Sequence, residues 1–429
     1  MNITILNGNP DERDSDFDRY LADLTRILQT QGYTVTALTL REMDIRSCNG
    51  CFGCWIKTPG ECFSPDDGHL IRQAMIRSDF TLWASPLRMG FPSARLKMIM
   101  DKSIPLIHPY FVVENNEAHH RPRYDHYPRL GLLLSAEADT TADDVSIVSD
   151  IFSRTALNMK SRLEFALMTD QPVETVAQAI MTHQPGTVPF KHHLPPTTGV
   201  TITPPRRLTI FNGSPRGRKG NTPLLVDKFL GGFHAVPGHI SEVFDLNRQH
   251  DTPLFTQAFA DAECVLLGFP LYTDSMPGLV KGFIETLEVY RDRAGNPPIG
   301  FLVQSGFPES THSRHVERYL ERLAERLGSP YLGTIVKGGV EGIQIMPDNM
   351  TRRLYTGLHQ IGRTFAQTGK FDPAQLRALA RPEWYPAYLA PFFKLFLKTS
   401  WASFYWDGQL KKNGVYDQRF ARPYNEPGA

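Results

Sequence analysis

The chain has 429 residues, of which 41% are hydrophobic and 21% are charged, a composition typical of a globular protein with roughly two to three domains. Its formal net charge of +1 and its lack of a long block of like charge give no support for nucleic-acid binding. The N-terminus passes directly from a short apolar run into acidic residues, and no uninterrupted apolar stretch reaches the roughly 18 residues of a membrane span. We therefore expect a cytoplasmic protein without a signal peptide or a transmembrane helix.

The first predicted unit opens with a short β-branched strand at Ile3–Leu6, and a helical pattern follows at Phe17–Thr30. The turn between them is acidic, with Arg13 as its cation. Carboxylates beside a phosphate dianion oppose its binding, so this turn is expected to be a poor phosphate site. The acidic side chains of the turn are Asp11, Glu12, Asp14 and Asp16.

Four of the five cysteines fall within fifteen residues, with the spacing C-x2-C-x2-C-x7-C. Thiolates at this spacing can turn inward on one loop, and the interspersed glycines give the backbone the necessary freedom. The spacing favours an iron–sulfur cluster over zinc, because zinc sites usually pair two separated Cys-x2-Cys units. Free or redox-active thiols stay open as the alternative. The predicted metal ligands are Cys48, Cys51, Cys54 and Cys62.

The two halves of the chain repeat three features in the same order. Each half has a strand that runs into Asn-Gly-x-Pro, then two further apolar strands separated by helical patterns. This alternation predicts an open, doubly wound parallel α/β sheet in each half. The matching segments are Ile3–Pro10 with Leu208–Pro215, Phe80–Lys97 with Cys264–Lys281, and Leu130–Ser135 with Ile299–Ser305.

Composition predicts where the domains begin and end. Residues 186–205 are rich in Pro, Thr and His without apolar periodicity, which indicates a linker between domains at 1–185 and 206–375. Residues 376–429 form an aromatic-rich C-terminal extension. Its run Trp384–Trp406 predicts an apolar helix that docks on the core or on a dimer partner, with a membrane-surface helix as the alternative.

The first turn of the second half carries three glycines and three cations at Gly213–Thr222. Backbone N–H groups in such a turn can point into one concavity, and the helix N-terminus adds positive charge, so the turn suits a phosphate monoester. A solvated basic turn in which Asn221 or Thr222 caps the helix is the alternative. The predicted phosphate contacts are Ser214, Arg216, Gly220, Asn221 and Thr222.

Two more loops leave the carboxyl ends of neighbouring predicted strands, where they meet at one crevice. Pro270–Gly278 offers an aromatic ring and polar neighbours to a flat heterocycle, and Gln304–Glu309 contains a glycine that permits close approach. A phosphate turn and two loops at one crevice are typical of a mononucleotide site. The predicted ring contacts are Pro270, Leu271, Tyr272, Thr273, Asp274, Ser305, Gly306 and Phe307.

These motifs carry a family resemblance. Gly-Ser-Pro-Arg-x3-Gly-Asn-Thr at Gly213–Thr222, with Pro270–Tyr272 and Ser305–Glu309, resembles the flavodoxin-like NAD(P)H-dependent FMN reductases over most of residues 206–370. The first half is similar, through Cys48–Cys62, to the branch of that superfamily that includes the iron–sulfur flavoproteins. The resemblance implies two tandem flavodoxin-like sheets, FMN as cofactor, NAD(P)H as hydride donor and a 4Fe–4S cluster on the cysteines.

The halves differ where the cofactor is expected. The first half has the acidic turn, and Arg88 stands where the equivalent loop of the family often carries tyrosine. We therefore expect FMN in the second half, although Ser15 and Phe17 fit the quinone-reductase branch and leave a flavin in the first half open. We assign no catalytic acid or base. His312 and His315 are expected on a helix surface, and the pairs at 119–120 and 192–193 on surface loops.

Three functions follow from this pattern. The leading one is an FMN-dependent NAD(P)H oxidoreductase that reduces a quinone, a flavin or a similar small acceptor. The second is an iron–sulfur flavoprotein that relays single electrons to a protein partner. The third is a non-catalytic metal- or partner-binding protein that keeps the sheets without the cofactor. A homodimer is compatible with all three.

Overall fold

The computed structural model describes residues 1–114, 117–182, 188, 191–385, 387–397 and 399–425. The chain divides into two compact units, one of residues 1–191 together with 386–429 and one of residues 192–385. The C-terminal segment therefore belongs to the same unit as the N-terminal half. The narrower boundaries at 185, 205 and 375 stay predictions from composition.

The first unit alternates strands and helices. Its N-terminal part contains β1 (Asn2–Asn7), α1 (Ser15–Thr30), β2 (Thr34–Thr39), α2 (Gly53–Ile56), α3 (Gly68–Arg77), β3 (Phe80–Arg88), β4 (Phe91–Pro92), α4 (Ala94–Asp101), β5 (Ile107–Glu114), β6 (Glu117–Pro122), β7 (Arg129–Ser135), α5 (Ala142–Asn158), β8 (Leu163–Met168) and α6 (Val173–Met181).

Five strands of this unit form a parallel sheet in the order β2-β1-β3-β7-β8, and β4 pairs antiparallel with the end of β3. β5 and β6 form a separate antiparallel hairpin. β1 and β3 are almost continuously buried because helices cover both faces of a parallel sheet. Helix α1 buries Phe17, Leu21, Leu24 and Leu28, whose spacing places them on one helical face.

The second unit repeats the plan of the first. It contains β9 (Arg207–Asn212), α7 (Asn221–His234), β10 (Ile240–Asp245), α8 (Thr252–Ala260), β11 (Val265–Pro270), α9 (Gly278–Thr286), β12 (Ile299–Gln304), α10 (Arg314–Arg326), β13 (Tyr331–Lys337), α11 (Asp348–Thr368) and α12 (Pro373–Leu379).

The second sheet is parallel throughout, in the order β10-β9-β11-β12-β13. Numbered within each unit, the parallel strands of both sheets run 2-1-3-4-5, which is the flavodoxin-like order. In this topology the crevice opens beyond the carboxyl ends of the first and third strands, where the order reverses. The prediction of two tandem flavodoxin-like parallel sheets is therefore confirmed.

The aromatic C-terminal segment differs from the expectation of one docked helix. It forms two helices of the first unit, α13 (Ala390–Phe396) and α14 (Ser400–Lys412). The expectation that this segment docks on the core is wrong for several of its large side chains. Phe392, Leu395 and Phe404 are 71%, 66% and 73% exposed. No helix in the described part of the chain is long and apolar enough to cross a membrane.

The histidine expectations also need correction. His312 and His315 are fully buried rather than on a helix surface, and His312 stacks on Phe307 with ring centroids 4.1 Å apart. His119 is buried in β6, where its ring nitrogen Nδ1 bonds Asn158 Oδ1 at 2.6 Å. His312 and His119 thus have packing and hydrogen-bonding roles that the local sequence did not reveal, whereas His192 and His193 are exposed as expected.

Candidate functional site

The turn after β9 is tightly packed in the second unit. Ser214 N donates to the side-chain oxygen of Asn212 at 3.1 Å, and Gly217 adopts a left-handed φ of 55°. A Cβ on Gly220 would lie 2.0 Å from Ser214 Oγ, so any larger residue would have to displace that hydroxyl. The turn is therefore a preformed cradle rather than an open loop.

The helix that follows this turn presents a helix N-terminus without a side-chain cap. Its N-cap residue is Gly220, which makes no side-chain capping bond, and Asn221 and Thr222 begin α7 fully buried. Unsatisfied N–H groups and the helix dipole at such an end attract an anion. The capping alternative for Asn221 and Thr222 is not what the structure has, since neither side chain caps the helix.

Asn221 instead binds residues 340–344, a loop that does not stand out in the sequence. Its side-chain amide donates to the carbonyls of Val340 at 2.8 Å and Glu341 at 3.3 Å. Gln344 donates in turn to Lys219 O at 3.0 Å and to Asn221 Oδ1 at 2.9 Å. Residues 340–344, which follow β13, therefore border the phosphate turn.

The cation of the turn faces a carboxylate on that loop. Arg216 Nη1 lies 3.6 Å from Glu341 Oε1, with both side chains a little over one quarter exposed. Burial raises the pKa of Glu341, and the neighbouring Arg216 partly offsets that rise. Arg218 is engaged differently, since its Nε donates to Asp245 Oδ2 at 2.9 Å.

The loop after β11 is a tight turn closed by two backbone bonds between Tyr272 and Ser275, of 2.8 and 3.0 Å. Its central residues Thr273 and Asp274 have φ of 40° and 62°, the left-handed values of a type I′ hairpin turn. The Ser275 hydroxyl is completely buried and has no hydrogen-bond partner in the described part of the chain. Such a hydroxyl is suited to a polar atom of a bound ligand.

The third predicted loop lies beside the second, because β11 and β12 end in register with Pro270 opposite Gln304. Ser305 Oγ donates to Phe307 O at 3.1 Å, which holds the loop in shape. A Cβ on Gly306 would lie 3.4 Å from Glu341 Cβ. Glu341 therefore approaches both the phosphate turn and the third loop.

The predicted site residues thus lie on three loops at one edge of the second sheet, and the fold brings these loops together. Sequence reasoning missed Glu341, Gln344 and Ser275. The first two follow β13, and the rule that ligands bind at the carboxyl ends of parallel strands could have found them had it been applied to the last strand.

The corresponding loops of the first unit carry carboxylates that bind groups of their own chain. Asp14 caps α1 by accepting from Phe17 N at 3.4 Å. Asp11 binds Arg13 at 2.9 Å, and these contacts lower the pKa of Asp11 to about 2. Glu137 accepts the backbone N–H groups of the β3–β4 turn, Met89 at 2.8 Å and Gly90 at 2.7 Å.

The four clustered cysteines follow β2, around the short helix α2. Cys54 is buried, Cys51 is exposed, and Cys48 and Cys62 are intermediate. Burial raises the pKa of Cys48 to about 12, and it also raises the pKa of Cys54, with the neighbouring thiols adding to both shifts. Within the described residues, no three His, Cys, Asp or Glu side chains converge as metal ligands.

Buried cations and aromatic rings surround this cysteine loop. Burial lowers the pKa of Arg123, whereas attraction to Tyr124 and Cys54 opposes that shift, and Nε and Nη2 of Arg123 have no hydrogen-bond partner in the described part of the chain. Trp406 of α14 packs edge-on against Phe52 and Trp55 at 5.5 and 5.4 Å. The charge environment suits a thiolate-ligated group, whereas the ligand geometry does not.

Strand order defines a flavodoxin-like protein, and the turn at the topological switch point of its second sheet precedes an uncapped helix N-terminus. The chain belongs to the NADPH-dependent FMN reductase family, whose model matches residues 1–122 and again 206–335. The family unit is therefore present twice in tandem.

Individual relatives are more distant. An iron–sulfur flavoprotein of Methanocaldococcus jannaschii is 28% identical over 106 residues, which are 25% of this chain and 53% of that protein. One of Methanosarcina thermophila is 24% identical over 115 residues, 27% of this chain and 59% of that protein. The chain thus spans little more than half the length of the curated relatives it matches.

Solved structures with a similar fold include a flavone reductase, 16% identical with a TM-score of 0.31, covering 38% of this chain and 62% of that one. Another is an FMN-dependent NADH-azoreductase of Bacillus anthracis in complex with FMN, 12% identical with a TM-score of 0.30, covering 37% of this chain and 99% of that one.

Proposed function

We propose that the second unit binds one FMN per chain and that the protein transfers hydride from NAD(P)H through this FMN to a quinone, a flavin or a similar small acceptor. The observation that carries the proposal is the contrast between the two helix N-termini. The one at Gly220 has no side-chain cap and lies beside Arg216, whereas the one at Asp14 is capped by a carboxylate. An anionic phosphate is attracted to the first and repelled by the second.

The roles of the residues follow from their positions. The backbone of Ser214 and the first turn of α7 would hold the phosphate, with Arg216 supplying positive charge. The Tyr272–Ser275 turn and the Ser305–Phe307 loop would border the ring, where the Ser275 hydroxyl is available to donate. When bound, FMN supplies the two-electron chemistry, and the protein supplies position and electrostatics. We assign no acid or base on the chain.

Titration of the full chain with FMN, followed by quenching of flavin fluorescence, tests the proposal. The informative variant is Arg216→Glu, which reverses the charge of the turn. Asn221 is left unchanged in this test, because its side chain donates to two carbonyls and its replacement would also disturb the 340–344 loop. We expect Arg216→Glu to weaken FMN binding by about 10- to 100-fold, the range for losing a charge-assisted hydrogen bond.

A matched control is Arg13→Glu, which makes the same change in the turn of the first unit, where Arg13 is largely exposed. It should leave one FMN bound per chain. Loss of FMN in Arg13→Glu but not in Arg216→Glu would move the site to the first unit. A chain that takes up no FMN and oxidises neither NADH nor NADPH would overturn the proposal and favour the non-catalytic alternative.

The iron–sulfur flavoprotein is a second candidate, favoured by the buried Arg123 beside Cys54. Cys48, Cys51, Cys54 and Cys62 would be the ligands of a 4Fe–4S cluster, which supplies single-electron transfer. Because the described residues show no set of three metal ligands, we derive no electron route through the cysteines. Anaerobic purification decides this point, since bound iron and sulfide with a broad absorption near about 400 nm would establish the cluster.

A further inference from the structure

The first unit contains a cavity that the flavin chemistry does not use. It has a volume of about 710 Å³ and lies between the β5–β6 hairpin, the two C-terminal helices and the segment 416–420. This volume is within the range of ligand-binding pockets. Its apolar wall includes Phe111, Val113 and Leu397, and its polar wall carries three cations, Arg121, Lys394 and Arg419.

These cations are brought together without a counter-ion. The guanidinium carbons of Arg121 and Arg419 lie 5.2 and 4.7 Å from the centre of the same ring, that of Phe420. Over the described ranges, neither arginine nor Lys394 forms an ion pair with a carboxylate. Like charges held close together without compensation create a local positive potential that attracts an anion.

Among the described residues of the cavity wall, the one carboxylate is already engaged. Asp407 accepts hydrogen bonds from Tyr110 Oη at 2.7 Å and from Ser403 Oγ at 2.6 Å. Burial, together with this contact, raises the pKa of Tyr110, so its hydroxyl stays a donor. Asp407 therefore ties α14 to β5, and the cavity keeps an excess of positive charge.

The helix that supplies Lys394 also exposes large apolar side chains. Phe392 and Leu395 of α13 and Phe404 of α14 are more than 60% exposed, and Phe396 is 47% exposed. Several large exposed apolar side chains on two consecutive helices are typical of an interaction surface rather than of an ordinary solvated face. We call Phe392, Phe396 and Phe404 together the aromatic surface.

The basic charge of the C-terminal segment indicates which kind of partner fits the aromatic surface. Residues 387–425 contain six basic and two acidic residues, whereas the whole chain has 46 and 45, so acidic residues are in excess elsewhere. A second copy would bring the same basic segment against its own equivalent in a twofold interface, which like charges oppose. An anionic lipid surface complements both the basic charge and the aromatic side chains.

We propose that the C-terminal helices dock the protein on anionic membranes, with a lipid headgroup phosphate in the cavity at Arg121 and Arg419 and the aromatic surface in the interfacial layer. No helix spans the bilayer in this arrangement, which agrees with the short lengths of α13 and α14. The association is peripheral and reversible, and it weakens with salt because part of it is electrostatic.

Sedimentation of the full chain with vesicles tests this proposal. Vesicles of phosphatidylcholine alone are compared with vesicles that also contain phosphatidylglycerol, at low and high salt. We expect binding only to the anionic vesicles, and a loss of about 10- to 30-fold in the Arg121→Gln/Arg419→Gln variant. Phe392→Ser/Phe404→Ser should weaken binding independently of salt, because it removes the apolar contribution.

A matched control double variant is Arg19→Gln/Val289→Ser, which changes an exposed arginine and an exposed apolar residue outside the C-terminal segment. It should bind like the parent, and the urea midpoint of every variant should match the parent to show that it is folded. Equal binding to neutral and anionic vesicles, or binding of hexyl phosphate without vesicle binding, would overturn the proposal. So would a chain dimer, seen by light scattering, that Phe392→Ser/Phe404→Ser dissociates.

Discussion

Arg216 Nη1 and Glu341 Oε1 lie 3.6 Å apart in the second unit, so the cation of the phosphate turn already has a carboxylate within reach. The two residues are 125 positions apart in sequence and meet because both follow the carboxyl end of a strand of the same parallel sheet. A bound phosphate would compete with Glu341 for the guanidinium. This relationship makes Glu341 a natural point at which to tune cofactor affinity.

Glu341→Gln is expected to tighten FMN binding about three- to tenfold, because it removes an acidic competitor and leaves the backbone contacts of residue 341 in place. Fluorescence titration measures the change. Glu325→Gln is the control, since it makes the same substitution in a surface pair with Arg322 and should leave the Kd unchanged. Weaker FMN binding in Glu341→Gln would mean that the carboxylate assists the cofactor instead.

The same pair predicts a pH dependence. Burial raises the pKa of Glu341, so this carboxyl gains its proton at a higher pH than an ordinary glutamate does as the solution is acidified. Protonation frees Arg216, and FMN binding should strengthen through that interval relative to Glu341→Gln, in which no such group titrates. The comparison with the variant removes the effect of the phosphate itself, whose second pKa is about 6. Parallel pH profiles of the two proteins would contradict this prediction.

The thiols should react in the order of their exposure. Cys51 is exposed and should be alkylated first, whereas Cys54 and Cys264 are buried with raised pKa values and should be alkylated last. Trp406→Ala should accelerate alkylation of Cys54 about tenfold or more, because Trp406 packs on the rings at 52 and 55 that cover the loop. Timed iodoacetamide labelling with peptide mass spectrometry measures each rate.

Phe404→Ala provides the control for this experiment, because Phe404 lies on the same helix but is 73% exposed. In the Phe404→Ala variant, Cys54 should be alkylated at the same rate as in the parent protein. Equal acceleration by both substitutions would show that α14 as a whole, rather than the packing of Trp406, protects the loop.

A buried ion network should dominate the stability of the second unit. Arg314 binds Glu317 at 2.6 Å and Glu383 at 2.7 Å, and burial raises the pKa of Glu317 even beside its partner. Arg314→Met would leave a buried carboxylate without its cation, which lowers the free energy of unfolding by about 3–5 kcal/mol. Urea unfolding followed by circular dichroism measures the loss.

Arg322→Met makes the same substitution on the surface of the same helix, where the Arg322–Glu325 pair is 30% and 55% exposed. Surface pairs contribute about 0–1 kcal/mol, so this control should be nearly neutral. Equal losses in the two variants would exclude a special role for the buried network.

The local sequence was sufficient for the order and type of the elements. Continuous apolar strands such as Phe80–Arg88 and Val265–Pro270, each followed by a helix, allow few arrangements other than a parallel sheet covered on both faces. The repeated Asn-Gly-x-Pro turns mark the end of the first strand in both sheets. The glycines and cations at 213–222 likewise predict a phosphate turn, because a close backbone approach needs residues of that kind locally.

Tertiary structure decided what lies opposite each of these motifs. Glu341 lies opposite Arg216, and Glu137 accepts hydrogen bonds from the backbone N–H groups of Met89 and Gly90. Both contacts form because distant loops converge at one edge of a sheet, and no local pattern encodes that convergence. The aromatic C-terminal run is a similar case, because its composition predicts that its side chains pack but does not identify the segment against which they pack. Hydrophobic periodicity reports on the structure of a few neighbouring residues, whereas the burial of a side chain depends on contacts with segments that can be hundreds of residues away. The sequence by itself thus determined two flavodoxin-like units, one of them with a basic turn. Only the tertiary structure decided which side chains lie beside that turn and which aromatic side chains of the C-terminal segment are exposed.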